Sequence, residues 1–182
     1  NGATFKLDFG LDDIERDDTI LVCGGIEIQK TTTKPVLNWL RREARRGVAI
    51  GGLCTGAYAL AQAGILKGRR FTMHWDNTTA FSENFPDLEP SRQVFSIDDR
   101  VMTCAGGVAA ADLMLKLISD RFGAELGQEV MNMCLLTQRR DEADSQTASL
   151  ATRLGTRHDK LLQAAAYLEA RIEEELDLDG CA

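Results

Sequence analysis

Apolar positions along the chain follow two rhythms: short continuous runs and helical spacing. Thr19-Ile20-Leu21-Val22-Cys23 is a continuous run that ends in Gly24-Gly25. This is the pattern of a strand buried on both faces. Thr33 then predicts a helix N-cap, with Pro35 tolerated in the first turn. Val36, Leu37, Leu40 and Ala44 recur at helical spacing, and Arg45-Arg46-Gly47 closes the helix with basic residues and a glycine. Val48-Ala49-Ile50 predicts a second buried strand, running into Gly51-Gly52-Leu53-Cys54. Ala57, Leu60 and Ala61 mark the helix after it.

The middle is more irregular. Phe71-Thr72-Met73-His74 predicts a short strand, and residues 75–85 a short helix stopped by Pro86. Gln93 to Ile97 and Arg100 to Cys104 read as paired strands around the turn Asp98-Asp99. The second of them runs into Ala105-Gly106-Gly107. A helix follows over about 107–122, apolar on most faces, with Asp112, Lys116 and Asp120 as one wet stripe. Another spans about 124–137. Strands alternating with helices predict an α/β fold with a mostly parallel sheet. A buried strand meets a glycine pair at Gly24-Gly25, at Gly51-Gly52 and at Gly106-Gly107. Either these are tight turns, or glycines at one sheet edge let backbone N–H groups face a ligand.

Residues 138–146 are polar and aperiodic, a linker by composition. Leu161, Leu162, Ala165, Leu168 and Ile172 then predict an amphipathic helix over 159–175, with an acidic outer side through Glu169, Glu173, Glu174 and Glu175.

Composition narrows the class. The chain has 182 residues, 44% hydrophobic and 27% charged, an ordinary globular balance with room for one α/β domain and an appendage. No apolar run approaches the ~20 residues that cross a bilayer, and no secretory leader is visible. The expectation is a cytoplasmic protein without membrane contact. A net charge of −7 argues against nucleic-acid binding by these residues themselves. Five cysteines without paired spacing read as reduced thiols. His74 and His158 are the two histidines, which excludes a histidine-rich metal site; no metal or cofactor is expected. The sequence opens Asn1-Gly2-Ala3 without methionine, which predicts a fragment of a longer chain.

Gly52-Leu53-Cys54-Thr55-Gly56 carries the clearest chemistry. A cysteine flanked by small residues between a buried strand and a helix has the nucleophile-elbow arrangement. It sets the thiol at a helix N-terminus, which lowers a thiol pKa, and the same N–H groups suit a substrate carboxylate. A hydrolase also needs a base and a group that orients it. His74 is the candidate base within the α/β domain; its structural reading is an imidazole paired with backbone or touching a ligand. No acidic residue stands where it would complete a triad, and Asp112 is explained by its helix-surface neighbour Lys116. Cys104 either lines the same crevice or packs in the core. Trp75 either stacks on a ligand, enclosing a cationic ammonium, or caps the core. Trp39, Cys23, Cys134 and Cys181 carry no functional signal.

These residues also carry a resemblance. The stretch 52–70, Thr72-Met73-His74-Trp75, Phe85-Pro86, Thr103-Cys104-Ala105-Gly106-Gly107 and Ala111-Asp112-Leu113-Met114-Leu115 resemble the sensor domain of GlxA-type regulators of the AraC family. Arg153 to His158 resembles the connector before the DNA-binding domain. Asp159 onward, leading into Leu176-Asp177-Leu178-Asp179, resembles the opening of its helix-turn-helix. The resemblance implies a flavodoxin-like sandwich similar to class I glutamine amidotransferases and PfpI-type proteins. It divides the chain into a sensing domain at 1–138, a linker at 139–157 and a truncated helix-turn-helix domain at 158–182. It also implies that a first strand and helix of the family precede this chain. The amidotransferase His-x-Glu pair is absent, Thr55 stands where PfpI-type enzymes have histidine after the cysteine, and the PfpI-type acidic partner falls outside the chain. The expectation is therefore a non-enzymatic sensor. It would hold a small-molecule effector at Gly24, Gly25, Cys54, Thr55, Gly56, His74, Trp75 and Cys104, with an amine- or carboxylate-containing metabolite such as glycine betaine, carnitine or arginine implied. DNA would be read by the longer protein's helix-turn-helix, in a homodimer. Two alternatives stand beside it: a cysteine hydrolase or amidase using Cys54 and His74, and a dimerisation module with a vestigial pocket.

Overall fold

The computed structural model describes residues 4, 6–11, 14–147, 153–156 and 158–171. The chain divides into two compact units, Asn1–Gln146 and Thr147–Ala182. In the first unit the order is β1 (Thr19–Cys23), α1 (Ile28–Thr31), α2 (Lys34–Arg46), β2 (Ala49–Leu53) and α3 (Gly56–Gln62). A 3-10 turn at Trp75–Asn77 leads into α4 (Thr78–Asn84), β3 (Phe95–Asp98), β4 (Val101–Cys104), α5 (Val108–Phe122) and α6 (Ala124–Met133). The second unit contains α7 (Asp159–Ala170).

The sheet runs β1-β2-β4-β3. β1, β2 and β4 are parallel, and β3 returns antiparallel to β4 with Phe95 opposite Cys104 and Asp98 opposite Val101. This is the flavodoxin-like, mostly parallel arrangement expected. Side-chain alternation along the strands separates two cores. Ile20, Ile50 and Val101, aligned across the sheet, face the core built with α2, α3 and α4 around Leu40, Leu60 and Phe81. Leu21 and Met102 face the other core, with Val94, Phe95, Ala109 and Leu113. Thr33 precedes α2, Pro35 lies in its first turn, and Gly47 ends it in a left-handed conformation at φ 83°.

Several expectations need correction. β2 does not end at Ile50; it continues through Gly51-Gly52 to Leu53. These glycines are packing positions inside a strand, since a Cβ on Gly51 would lie 2.6 Å from Leu21 Cδ2 and 2.8 Å from Met102 Cγ. Phe71–His74 forms a single bridge, Thr72 to Ser91, rather than a strand. β1 is less covered than its apolar run implied: Ile20 is buried, while Leu21 and Val22 are half-buried. α6 stops at Met133, short of 137.

The polar stretch after residue 138 is not a free linker up to Gln146. Asp112, 1% exposed, accepts from the Arg140 backbone at 3.0 Å and from its guanidinium Nε at 2.9 Å. Val94 N donates to Asp144 O at 2.9 Å, and Gln146 N to Arg92 O at 3.0 Å. The compact unit therefore reaches Gln146 instead of ending at 138. Asp112 belongs to this fastening and not to the helix surface, and Lys116 pairs with Asp120 at 2.6 Å. Polarity misled because these side chains spend their hydrogen bonds on the domain instead of on water.

In the second unit, Arg153 pairs with Glu169 at 2.6 Å, and the Arg171 guanidinium lies 4.0 Å from the Tyr167 ring centre. Leu161 in α7 is 57% exposed. The rest of the expected 159–175 helix, the 176–179 segment, Arg157 and Cys181 lie outside the described residues.

Candidate functional site

The site grows from the bend after β2. Cys54 adopts φ 58°, a left-handed conformation that costs a non-glycine residue energy and persists where the surroundings hold it. Here the surroundings are backbone. A Cβ on Gly56 would collide with the Val22 carbonyl, and one on Gly24 with the Gly56 amide. Gly106, at φ 88°, presses from the other side, where a Cβ would lie 2.6 Å from Cys54 Cβ. Cys54 N donates to Cys104 O at 3.0 Å and Gly24 N to Leu53 O at 3.1 Å. Thr55 Oγ1 donates to Gly25 O at 2.8 Å, tying the elbow to the loop after β1.

A cavity of about 290 Å³ opens beside this bend. The loop after β1 and α1 give it Gly25, Ile26, Glu27, Ile28 and Gln29, and the elbow and α3 give Cys54, Thr55 and Tyr58. Its far wall is Met73, His74, Asn77, Ala80 and Phe81. It therefore has an apolar body (Ile28, Met73 and the edge-packed Tyr58–Phe81 pair) and a few polar groups, the usual make-up of a small-molecule site.

Of the eight residues singled out from sequence, Gly25, Cys54, Thr55 and His74 come together in the lining. Gly24 and Gly56 do not; they are the close backbone contact that builds the bend. Cys104 is fully buried behind it, and burial pushes its thiol pKa up, partly offset by the backbone N–H groups of Gly106 and Cys54. Trp75 is 54% exposed and stacks on the His74 ring, outside the lining. The aromatic surfaces within reach of a bound molecule are Tyr58 and Phe81 instead.

His74 is half-buried, and its Nδ1 accepts from Asp76 N at 3.3 Å. A neutral imidazole with Nδ1 accepting carries its proton on Nε2, so it offers a donor rather than a base on the free nitrogen. No hydrogen bond joins Cys54 to His74, and no carboxylate orients the ring among the described residues. The thiol and imidazole share a cavity without the relay that acyl transfer needs.

Gln146 holds the segment that bears His74. Its amide nitrogen lies 2.9 Å from each of Thr72 Oγ1, Met73 O and Gln93 O, which share its two protons, and its carbonyl accepts from Trp75 N at 2.9 Å. Sequence reasoning missed Gln146 and the 26–29 and 77–81 lining. The available signal was position: the loop after Gly24-Gly25 follows a strand whose carboxyl end had to share the crevice. Among the described residues no group of three or more His, Cys, Asp or Glu converges as a metal site.

A strand–elbow–helix bend carrying a cysteine over a crevice at the carboxyl edge of a parallel sheet defines the class. The chain belongs to the DJ-1/PfpI family, whose pattern matches residues 1–120. The nearer likenesses are to regulators. The chain is 38% identical over 182 residues to the HTH-type transcriptional regulator GbdR of Pseudomonas aeruginosa, covering 100% of this chain and 50% of that protein. It is 38% identical over 181 residues to the HTH-type transcriptional regulator GlxA of Rhizobium meliloti, covering 97% and 56%. A crystal structure of an AraC family transcriptional regulator from Pseudomonas putida superposes with a TM-score of 0.57 at 29% identity, over 64% of this chain and 63% of that one. The chain thus spans about half the length of the curated relatives it matches. No helix among the described residues is long and apolar enough to cross a membrane.

Proposed function

We infer that Asn1–Gln146 is the ligand-sensing part of a transcriptional regulator, holding a small metabolite in the cavity beside Cys54 without cleaving it. The observation that carries this is the pairing of an open, mixed-polarity cavity on the elbow with an imidazole whose Nδ1 is already spent on Asp76. A ligand with an ammonium and a carboxylate suits the lining. Glu27, paired through Oε1 with Lys30 at 2.6 Å, has its second carboxylate oxygen for the ammonium, and Tyr58 and Phe81 give an apolar wall for methyl or methylene groups. The His74 Nε2–H and the Asn77 amide are donors for the carboxylate. DNA would be read by a helix-turn-helix domain in the longer protein, acting as a homodimer on paired half-sites in the cytoplasm.

The rival is a cysteine hydrolase or amidase, favoured only by the presence of Cys54 and His74 in one lining. Thermal unfolding of the full chain against amine carboxylates separates the readings. A ligand that binds only the native state at 100 times its Kd adds about 2.7 kcal/mol, which is about 5–11 °C at ~2–4 °C per kcal/mol for a chain of this size. Such a shift with the compound recovered intact supports the sensor. Turnover of the compound, lost in Cys54→Ser, supports the hydrolase. Absence of any shift leaves the dimerisation module.

A further inference from the structure

A second cavity, of about 590 Å³, lies at the opposite edge of the sheet, where the strands begin. Ala44 and Ile65, both half-buried, give it an apolar floor, with Val48, Ile50 and Val101 buried beneath. Arg41, Arg45, Lys67, Arg69 and Arg100 stand around it, with Asp99 as the lining carboxylate. Arg16 adds a further guanidinium, its Nη2 lying 3.8 Å from where a Cβ on Gly47 would be. In a chain of net charge −7 this is a strong segregation of positive charge.

Part of that charge serves the fold. Arg41 donates to Gln62 O and Ala63 O at the end of α3, Arg100 donates to Gly47 O after α2, and Arg69 sits 3.7 Å from Asp98 and 3.9 Å from Asp99. The Arg45 and Lys67 side chains are exposed and make no hydrogen bond or ion pair among the described residues. Two unpaired cations over an apolar floor, flanked by guanidiniums with donors to spare, fit an anion that carries a non-polar body.

We propose that this basic cavity binds a phosphorylated organic ligand of at least two negative charges, its phosphates on Arg45 and Lys67 and its non-polar part against Ala44 and Ile65. The volume is in the range of small-molecule sites, and guanidinium forks match phosphate oxygens. A concave rim with an apolar floor suits a small molecule better than the convex backbone of a duplex. The site is separate from the Cys54 cavity, with no residue shared between the two linings.

The probes are ATP, inorganic tripolyphosphate and a 20-base-pair DNA duplex, titrated calorimetrically into the full chain. ATP is expected to bind saturably and more tightly than tripolyphosphate, with affinity falling as salt rises. Arg45→Gln with Lys67→Gln, which removes both charges without setting an acid at the end of α2, should weaken ATP at least about tenfold while the chain still unfolds cooperatively, and Ala80→Trp in the other cavity should leave ATP binding unaltered. The proposal is overturned if neither small anion binds, if the double variant binds ATP as well as the parent, or if Ala80→Trp abolishes ATP binding. It is also overturned if only the duplex binds through Arg45 and Lys67. ATP binding no tighter than tripolyphosphate overturns it as well, because the organic part would then contribute nothing.

Discussion

Gln146 joins the wall of the Cys54 cavity to the point where the compact unit ends, so its replacement tests whether that wall is held in place. In Gln146→Ala, the single Thr72 hydroxyl proton remains for Ser91 O and Gln93 O to share. Two groups lose the partner that Gln146 supplied: Met73 O and Trp75 N. Met73 is 1% exposed, so its carbonyl bears a desolvation cost of ~1–3 kcal/mol, whereas the Trp75 amide, beside solvent, loses ~0.5–1.5 kcal/mol. The sum is about 1.5–4.5 kcal/mol, or roughly 3–18 °C in melting temperature at ~2–4 °C per kcal/mol. Gln146→Glu keeps the volume and an acceptor for Trp75 N but turns a carboxylate towards Met73 O and Gln93 O, so it should cost at least as much near neutral pH. Urea unfolding of the full chain gives the free energies, and hydrogen exchange at the Trp75 amide reports the wall. If both variants unfold within about 0.5 kcal/mol of the parent, an ordinary surface substitution, the fastening is not structural and the reasoning fails.

Gly56→Ala places a methyl against the Val22 carbonyl, with backbone on both sides and nothing free to rotate away. The cost should be at or above the upper end of ~1–3 kcal/mol for overpacking; a soluble variant melting with the parent would contradict the close contact. Cys104 is buried with its thiol pKa raised above 9.0. The unfolded thiol ionises first as pH rises, so the native state holds more protons there and stability falls above about pH 9. Cys104→Ala should flatten that alkaline loss in a comparison of urea midpoints at pH 7.5 and 10; an unchanged slope would refute it.

The sheet was legible because its strands are short apolar runs separated by helical spacing, and the β3–β4 hairpin announced itself at Asp98-Asp99. The elbow was legible for a local reason: a cysteine between a strand and a helix needs small neighbours. The lining was not. Residues 26–29 and 77–81 meet Cys54 through the register of β1, β2 and β4 and the bonds of Thr72 and Gln146, which periodicity does not encode. Gly51-Gly52 looked like a loop because glycine marks turns, yet Gly51 makes room for Leu21 and Met102, and Gly52 for the Gly56-Ala57 backbone. The stretch 139–146 looked like a linker because its polar residues carry no sign of whether they bond water or Asp112, Val94 and Arg92. Trp75 was placed at the ligand by its neighbour His74, but the two rings stack and only one of them lines the cavity.

Whether the Cys54 cavity retains a metabolite without chemistry is tested most directly by calorimetric titration of the full chain with an amine carboxylate, parent beside Ala80→Trp. The expected result is saturable one-to-one binding to the parent, none to the filled cavity at the same melting temperature, and the ligand recovered unchanged by mass spectrometry. Equal binding by Ala80→Trp, or a recovered product whose formation needs the Cys54 thiol, would contradict it.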